Sequence, residues 1–109
     1  MIEVRYSPAD YRLSIRGHAG YAEAGKDIVC AAASALTYTL AMNIDALSHV
    51  YARRKTVRLS EGDSEISCVP VHGMRNVVRL IFEVVIMGYQ ALAEKYPENV
   101  TIIRDTKKA

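Results

Sequence analysis

Two cysteines among 109 residues are too few for the disulfide framework of a small secreted domain, so each is expected as a thiol. An excess of one charge is also missing, since 14 Lys and Arg face 12 Asp and Glu and leave a net charge of +2. The cations are scattered, and the tail pair Lys107 and Lys108 is short, so no continuous basic track offers itself to nucleic acid. Long apolar runs are scarce. The longest, Val77 to Ala93, is broken by Arg79 and Glu83, which argues against a membrane span, and no signal-peptide pattern precedes the stretch Ile2 to Tyr6. A cytoplasmic protein is therefore expected. Repeats, low-complexity segments and linker-like shifts of composition are absent too. With 50% hydrophobic residues, the chain is expected to form one domain over residues 1–109 around a modest core.

What is present reads as the order ββαββαβ. Ile2, Val4 and Tyr6 alternate with polar residues, Ser7 to Asp10 supply a Pro-containing turn, and Tyr11, Leu13 and Ile15 alternate again, which predicts a hairpin. After a loop from Gly17 to Asp27, the segment from Ile28 to about Arg53 is rich in Ala, Leu and Met with no Gly or Pro, and predicts a long helix. Lys55–Leu59 and Glu65–Val71 bracket the turn-like Glu61-Gly62-Asp63-Ser64 and predict a second hairpin. Pro70 cannot donate to a ladder, which predicts that its strand lies at a sheet edge. A second helix is expected from Met74 to Tyr96, ended by Pro97, and Val100, Ile102 and Ile103 supply a last strand. The expected class is α+β in two layers, one mixed sheet covered by two helices. Apolar residues go most of the way round the second helix, from Val77 to Leu92, and a second copy of the chain is the simplest cover for the excess. A homodimer is expected on that ground.

The chemistry-bearing stretch is Gly17 to Leu36, "GHAGYAEAGKDIVCAAASAL". Asp is a preferred N-cap, and Asp27 stands three residues before Cys30, which puts the thiol in the first turn of the long helix. Unpaired N–H groups and the positive end of the helix dipole favour an anion there, hence the nucleophilic thiolate, and the same N–H groups are candidate donors to the oxygen of a tetrahedral intermediate. His18 follows Gly17 at the end of the second strand and is not expected in the core. Twelve residues separate it from Cys30, enough for a short loop to bring the imidazole to the thiol as base and then as acid. Asp27 has two competing roles, helix cap or third member of a triad orienting the imidazole. Ser34, one turn after Cys30, shares its face and is a candidate substrate contact. No metal is expected, because His18, Asp27 and Cys30 lack a fourth ligand at ordinary spacing and His49 and His72 sit in no ligand motif. Cys68 reads as core or neutral surface. On residues alone, a catalytically silent dimeric module whose helix end holds a carboxyl-bearing peptide remains open beside the cysteine enzyme.

The same stretch resembles the signature of the ribosomal-processing cysteine protease (Prp, or YsxB-like) family, through Gly17, His18, Ala19, Gly25, Asp27 to Ala32, Ser34 and Ala35. "KYPENVTI" near the end fits that family's usual finish. The resemblance implies Cys30 as nucleophile, His18 as base, and cleavage of a short N-terminal extension from a bacterial large-subunit ribosomal protein after an apolar, aromatic residue. It also implies a homodimer, no cofactor, and a mobile segment from Ala19 to Lys26 over the site, with Gly20 and Gly25 as hinges. Within it Ala19, Gly20, Tyr21 and Gly25 are expected to meet substrate, although Tyr21 has the alternative of pinning the loop to its own domain. Relatives in bacteriophage genomes leave a phage structural protein as another substrate.

Overall fold

A computed structural model describes residues 1–105. The chain runs β1 (Ile2–Ser7), a 3-10 turn (Pro8–Asp10), β2 (Arg12–Arg16), α1 (Ile28–Tyr51), β3 (Ala52–Arg58), β4 (Asp63–Pro70), α2 (Arg75–Lys95) and β5 (Val100–Arg104). This is the expected order. Tyr11 belongs to the turn and not to the strand: at φ 49° it closes the 3-10 turn with its N–H on the Pro8 carbonyl.

The strands form one sheet in the order β3-β4-β2-β1-β5, antiparallel except for the parallel pair β1 and β5. Alternation sends Ile2, Val4, Tyr6, Leu13, Ile15, Ile66 and Cys68 to one buried face, while Arg5, Arg12 and Arg16 look outward. Both helices cover the buried face, packing Val29, Ala33, Leu40, Ala41 and Ile44 of α1 and Val78, Phe82, Ile86 and Tyr89 of α2 into the same core. The Tyr6 ring stacks on Phe82 at 6.0 Å. Between the helices, Thr37 donates to the Ala33 carbonyl at 2.8 Å and pairs with the Tyr89 hydroxyl.

The position of β4 corrects the expectation drawn from Pro70. That strand is interior, flanked by β3 and β2. Its ladder with β2 ends at Ser67 opposite Arg12, with one further bond from the Cys68 N–H to the Tyr11 carbonyl, so Pro70 lies beyond the reach of β2 and deprives it of no donor. The helix α1 stops at Tyr51, two residues short of expectation, because Ala52 turns directly into β3 in extended backbone. No connecting loop intervenes.

Each helix is long and apolar enough to cross a membrane by length and composition, yet each lies along the sheet with one side in the core. What stays outside is a stripe on α2, Val77, Leu80, Val84 and Met87, at spacings of three, four and three. On α1, Tyr38, Met42, Leu47 and Val50 are exposed as well.

Candidate active site

Asp27 is the cap of α1, in extended backbone, and its carboxylate is fully engaged by main-chain donors. Oδ1 accepts from the N–H groups of Val29 at 3.0 Å and Cys30 at 2.9 Å. Oδ2 reaches back into the preceding loop and accepts from Tyr21 at 3.0 Å and Ala22 at 3.2 Å. These bonds, that of Cys30 foremost, hold the carboxyl below its ordinary range. One side chain thus starts the helix and ties down the loop. Among the described residues no hydrogen bond joins it to His18, so of its two expected roles the geometry gives it the cap. The first-turn N–H groups of Val29 and Cys30, expected as donors to a reacting carbonyl oxygen, are already taken by this carboxylate.

Cys30 follows at the third helical position, half-buried, as a free thiol. The Ala19 N–H points at its sulfur, 3.3 Å from Sγ. Ala19 is buried and its side chain packs in the core, so what it presents to the site is main chain. Cys68 contrasts with Cys30: sealed in the core, its thiol is pushed up to about 11 by burial.

His18 stands exposed just past the end of β2. The ladder between β2 and β4 pairs Arg16 with Asp63, so the β3–β4 turn comes alongside the chain immediately before the histidine. The Gly17 N–H donates to the Gly62 carbonyl at 2.9 Å. Gly62, at φ +71°, lies so close to the imidazole that a Cβ there would stand 2.8 Å from Nε2. Gly17 is equally constrained on its other side, where a Cβ would meet the Met1 carbonyl oxygen at 2.3 Å. The ring therefore rests against bare backbone.

The loop from Gly17, the first half of α1 and the β3–β4 turn enclose a cleft of about 750 Å³. Of the residues singled out in the sequence, His18, Gly20, Gly25, Asp27, Cys30 and Ser34 line it. Ala19 and Tyr21 do not. The Tyr21 ring instead meets Tyr96 edge-on at 5.3 Å, the alternative in which it pins the loop to the domain. His49, by contrast, borders a separate shallow depression beside Arg53 and Lys55. Thr37, Tyr38, Leu59 and the turn from Ser60 to Ser64 also line the cleft, and none of them was expected at the site from the sequence. Glu61 to Ser64 is recognisable there as a turn, but only the register of β4 on β2 brings it to the histidine. Among the described residues no three His, Cys, Asp or Glu side chains cluster as metal ligands.

A thiol at a helix start, a donor aimed at its sulfur and an imidazole on the same cleft form the equipment of a cysteine nucleophile. Comparison with known proteins agrees. The ribosomal processing cysteine protease Prp of Staphylococcus aureus is 27% identical over 86 residues, 79% of this chain and 78% of that one. A crystal structure of the essential Staphylococcus aureus Prp with a covalently linked product peptide superposes with a TM-score of 0.80 at 26% identity, over 96% of this chain and all of the other. A second, with a substrate peptide, gives 0.74 at 26% identity and the same coverage. The profile of the family described as cysteine protease Prp matches residues 1–101, and the chain belongs to that family.

Proposed function

We propose that this chain is an endopeptidase that removes an N-terminal extension from a bacterial large-subunit ribosomal protein, with Cys30 as nucleophile and His18 as proton carrier. The observation that carries the reading is the placement of the Cys30 sulfur, half-exposed in a cleft that His18 also lines, with the Ala19 N–H directed at it. The substrate class is supported by the names of the relatives, which are ribosomal processing proteases, and by the two peptide complexes among them.

In this reading the Cys30 thiolate adds to the scissile carbonyl carbon, and the tetrahedral intermediate collapses as the imidazolium of His18 gives its proton to the departing amine. An acyl-thioester remains on Cys30. Water then loses a proton to the neutral imidazole while its oxygen adds to the thioester carbon, the sulfur leaves, and the carboxylic product departs. Asp27 acts by position, presenting Cys30 at the helix start and holding the loop at Tyr21 and Ala22. Ser34, Gly20 and Gly25 are the substrate-side wall. The exposed stripes of α1 and α2 are covered by a second copy of the chain, and the enzyme works in the cytoplasm, where ribosomal proteins are made.

Incubation with the N-terminal segment of the large-subunit ribosomal protein from the same genome, followed by mass measurement, tests the reading. Two fragments with the intact protein, none with Cys30→Ala, and a loss of about 10²-fold with His18→Ala are expected. Cleavage surviving in Cys30→Ala would overturn it.

A further inference from the structure

The turn after α2 carries a side chain that reaches the site from the far end of the sequence. Asn99 Nδ2 donates to the Ala19 carbonyl oxygen at 3.0 Å, across 80 residues of chain. The same Ala19 sends its N–H to the Cys30 sulfur. Asn99 is itself well anchored: its carbonyl accepts from the Ile2 N–H at 2.8 Å and its N–H donates to the Tyr96 carbonyl at 3.0 Å. Tyr96, from the same turn, holds the Tyr21 ring. We propose that Asn99 is a positioning residue, fixing the main chain of His18 and Ala19 so that imidazole and N–H both address Cys30.

The need for such a restraint follows from the backbone on either side. Before His18, the chain is held where the Gly17 N–H meets the Gly62 carbonyl. After Ala19 comes Gly20 at φ +68°, with open space where a side chain would be, a residue that by itself lets the following peptide swing. The Asn99 amide closes that gap, because gripping the Ala19 carbonyl sets the plane of the 19–20 peptide. The two-residue segment that carries His18 and the sulfur's donor is then clamped at both ends, by the β3–β4 turn through Gly62 and by the α2–β5 turn through Asn99. Asn99 touches neither sulfur nor substrate in this role. The inference rests on Cys30 being the nucleophile proposed above.

The test compares the full-length wild type, Asn99→Ala, Asn99→Asp and Cys30→Ala on the ribosomal-protein N-terminal peptide, with kcat and KM measured from pH 4.5 to 8. Iodoacetamide alkylation of Cys30, read by intact mass, is followed in parallel, with the sealed Cys68 as the unreactive internal reference. Asn99→Ala is expected to lower kcat and the alkylation rate about tenfold or more while KM stays within about twofold. Asn99→Asp keeps the size of the side chain; its carboxyl donates to the Ala19 carbonyl when protonated and repels it when ionised. Its activity relative to wild type should therefore be highest at the acid end of the range, where part of the carboxyl is protonated, and fall as pH rises. Wild-type kcat and alkylation in Asn99→Ala, with Cys30→Ala inactive, would overturn the positioning role and leave the protease reading standing. Cleavage by Cys30→Ala would instead remove the reading beneath it. Should Asn99→Ala fail to show a cooperative melt, the Asn99→Asp ratio decides, and a pH-independent ratio overturns the proposal.

Discussion

Replacing Gly62 by alanine is expected to damage catalysis out of proportion to its cost in stability. The added Cβ would lie 2.8 Å from His18 Nε2 and 3.1 Å from Cε1. Restoring an ordinary contact of 3.4 Å asks the ring or the turn to retreat by about 0.6 Å. The turn is the stiffer partner. It is held by the Gly17 N–H on the Gly62 carbonyl, by Arg58 and Arg16 on Asp63 at 3.2 and 3.4 Å, and by the Ser64 hydroxyl on the Ser60 carbonyl. The exposed imidazole is therefore what moves. Since a misplacement of about 1 Å can cost about 10²-fold in rate, a fall of about tenfold in kcat is expected. Separately, alanine at φ +71° costs about 1 kcal/mol relative to glycine, which for a domain of this size lowers Tm by about 4–8 °C. Gly73→Ala separates the two effects. Gly73 has φ +86° with nothing near the position of a Cβ, so its variant should share the loss in Tm and keep full activity. Both variants are melted by circular dichroism and assayed on the same peptide. If Gly62→Ala melts like Gly73→Ala and cleaves like wild type, the ring does not work from the place where Gly62 holds it.

Asp27→Asn retains one oxygen for Val29 and Cys30 but turns an amide toward the N–H groups of Tyr21 and Ala22, so the loop should be released and trypsin should cut after the exposed Lys26 faster than in wild type. Because the folded carboxyl titrates below its unfolded value near ~3.9, its contribution is complete above that pH and vanishes as pH falls through the lower folded value. Urea midpoints of wild type should thus be insensitive to this group from pH 5 to 8 and decline below about pH 4, and those of Asp27→Asn should decline less; parallel curves would contradict the four-bond anchor. If a second copy covers α2 as proposed, glutamate at both Leu80 and Val84, which are 65% and 68% exposed, should halve the mass seen in light scattering and leave the circular dichroism spectrum intact; a wild-type mass of one chain would refute the dimer, and a dimer mass that does not change would place its surface elsewhere. Tyr6 is fully buried, its hydroxyl is without a partner among the described residues, and burial pushes its pKa up to about 12. Tyr6→Phe should accordingly be neutral or stabilise by up to about 1 kcal/mol in urea unfolding, and a loss of more than that would mean the hydroxyl is satisfied.

The local parts of this protein were determined by local sequence. Alternation marked β1 and β2, the glycine-free and proline-free run marked α1, and Asp27 three residues before Cys30 marked the cap, since each of these follows from side-chain periodicity or from a short-range bond. His18 and Cys30 were singled out by their spacing and the pattern around them, and the fold places both on one cleft. Pro70 misled, because a missing donor says only that no partner needs it, and where β2 ends is a property of the sheet. The second wall of the cleft was legible as a turn, with nothing local to place it at the site. Gly62 reads as any turn glycine until the β2–β4 register sets it against an imidazole 44 positions earlier, and Asn99 reads as a polar residue after a helix until β5 pairs with β1 and carries it to Ala19. Periodicity and caps are encoded within a turn or two of chain, whereas the contacts that set Gly62 beside the imidazole and Asn99 on Ala19 arise only when strands distant in sequence become neighbours.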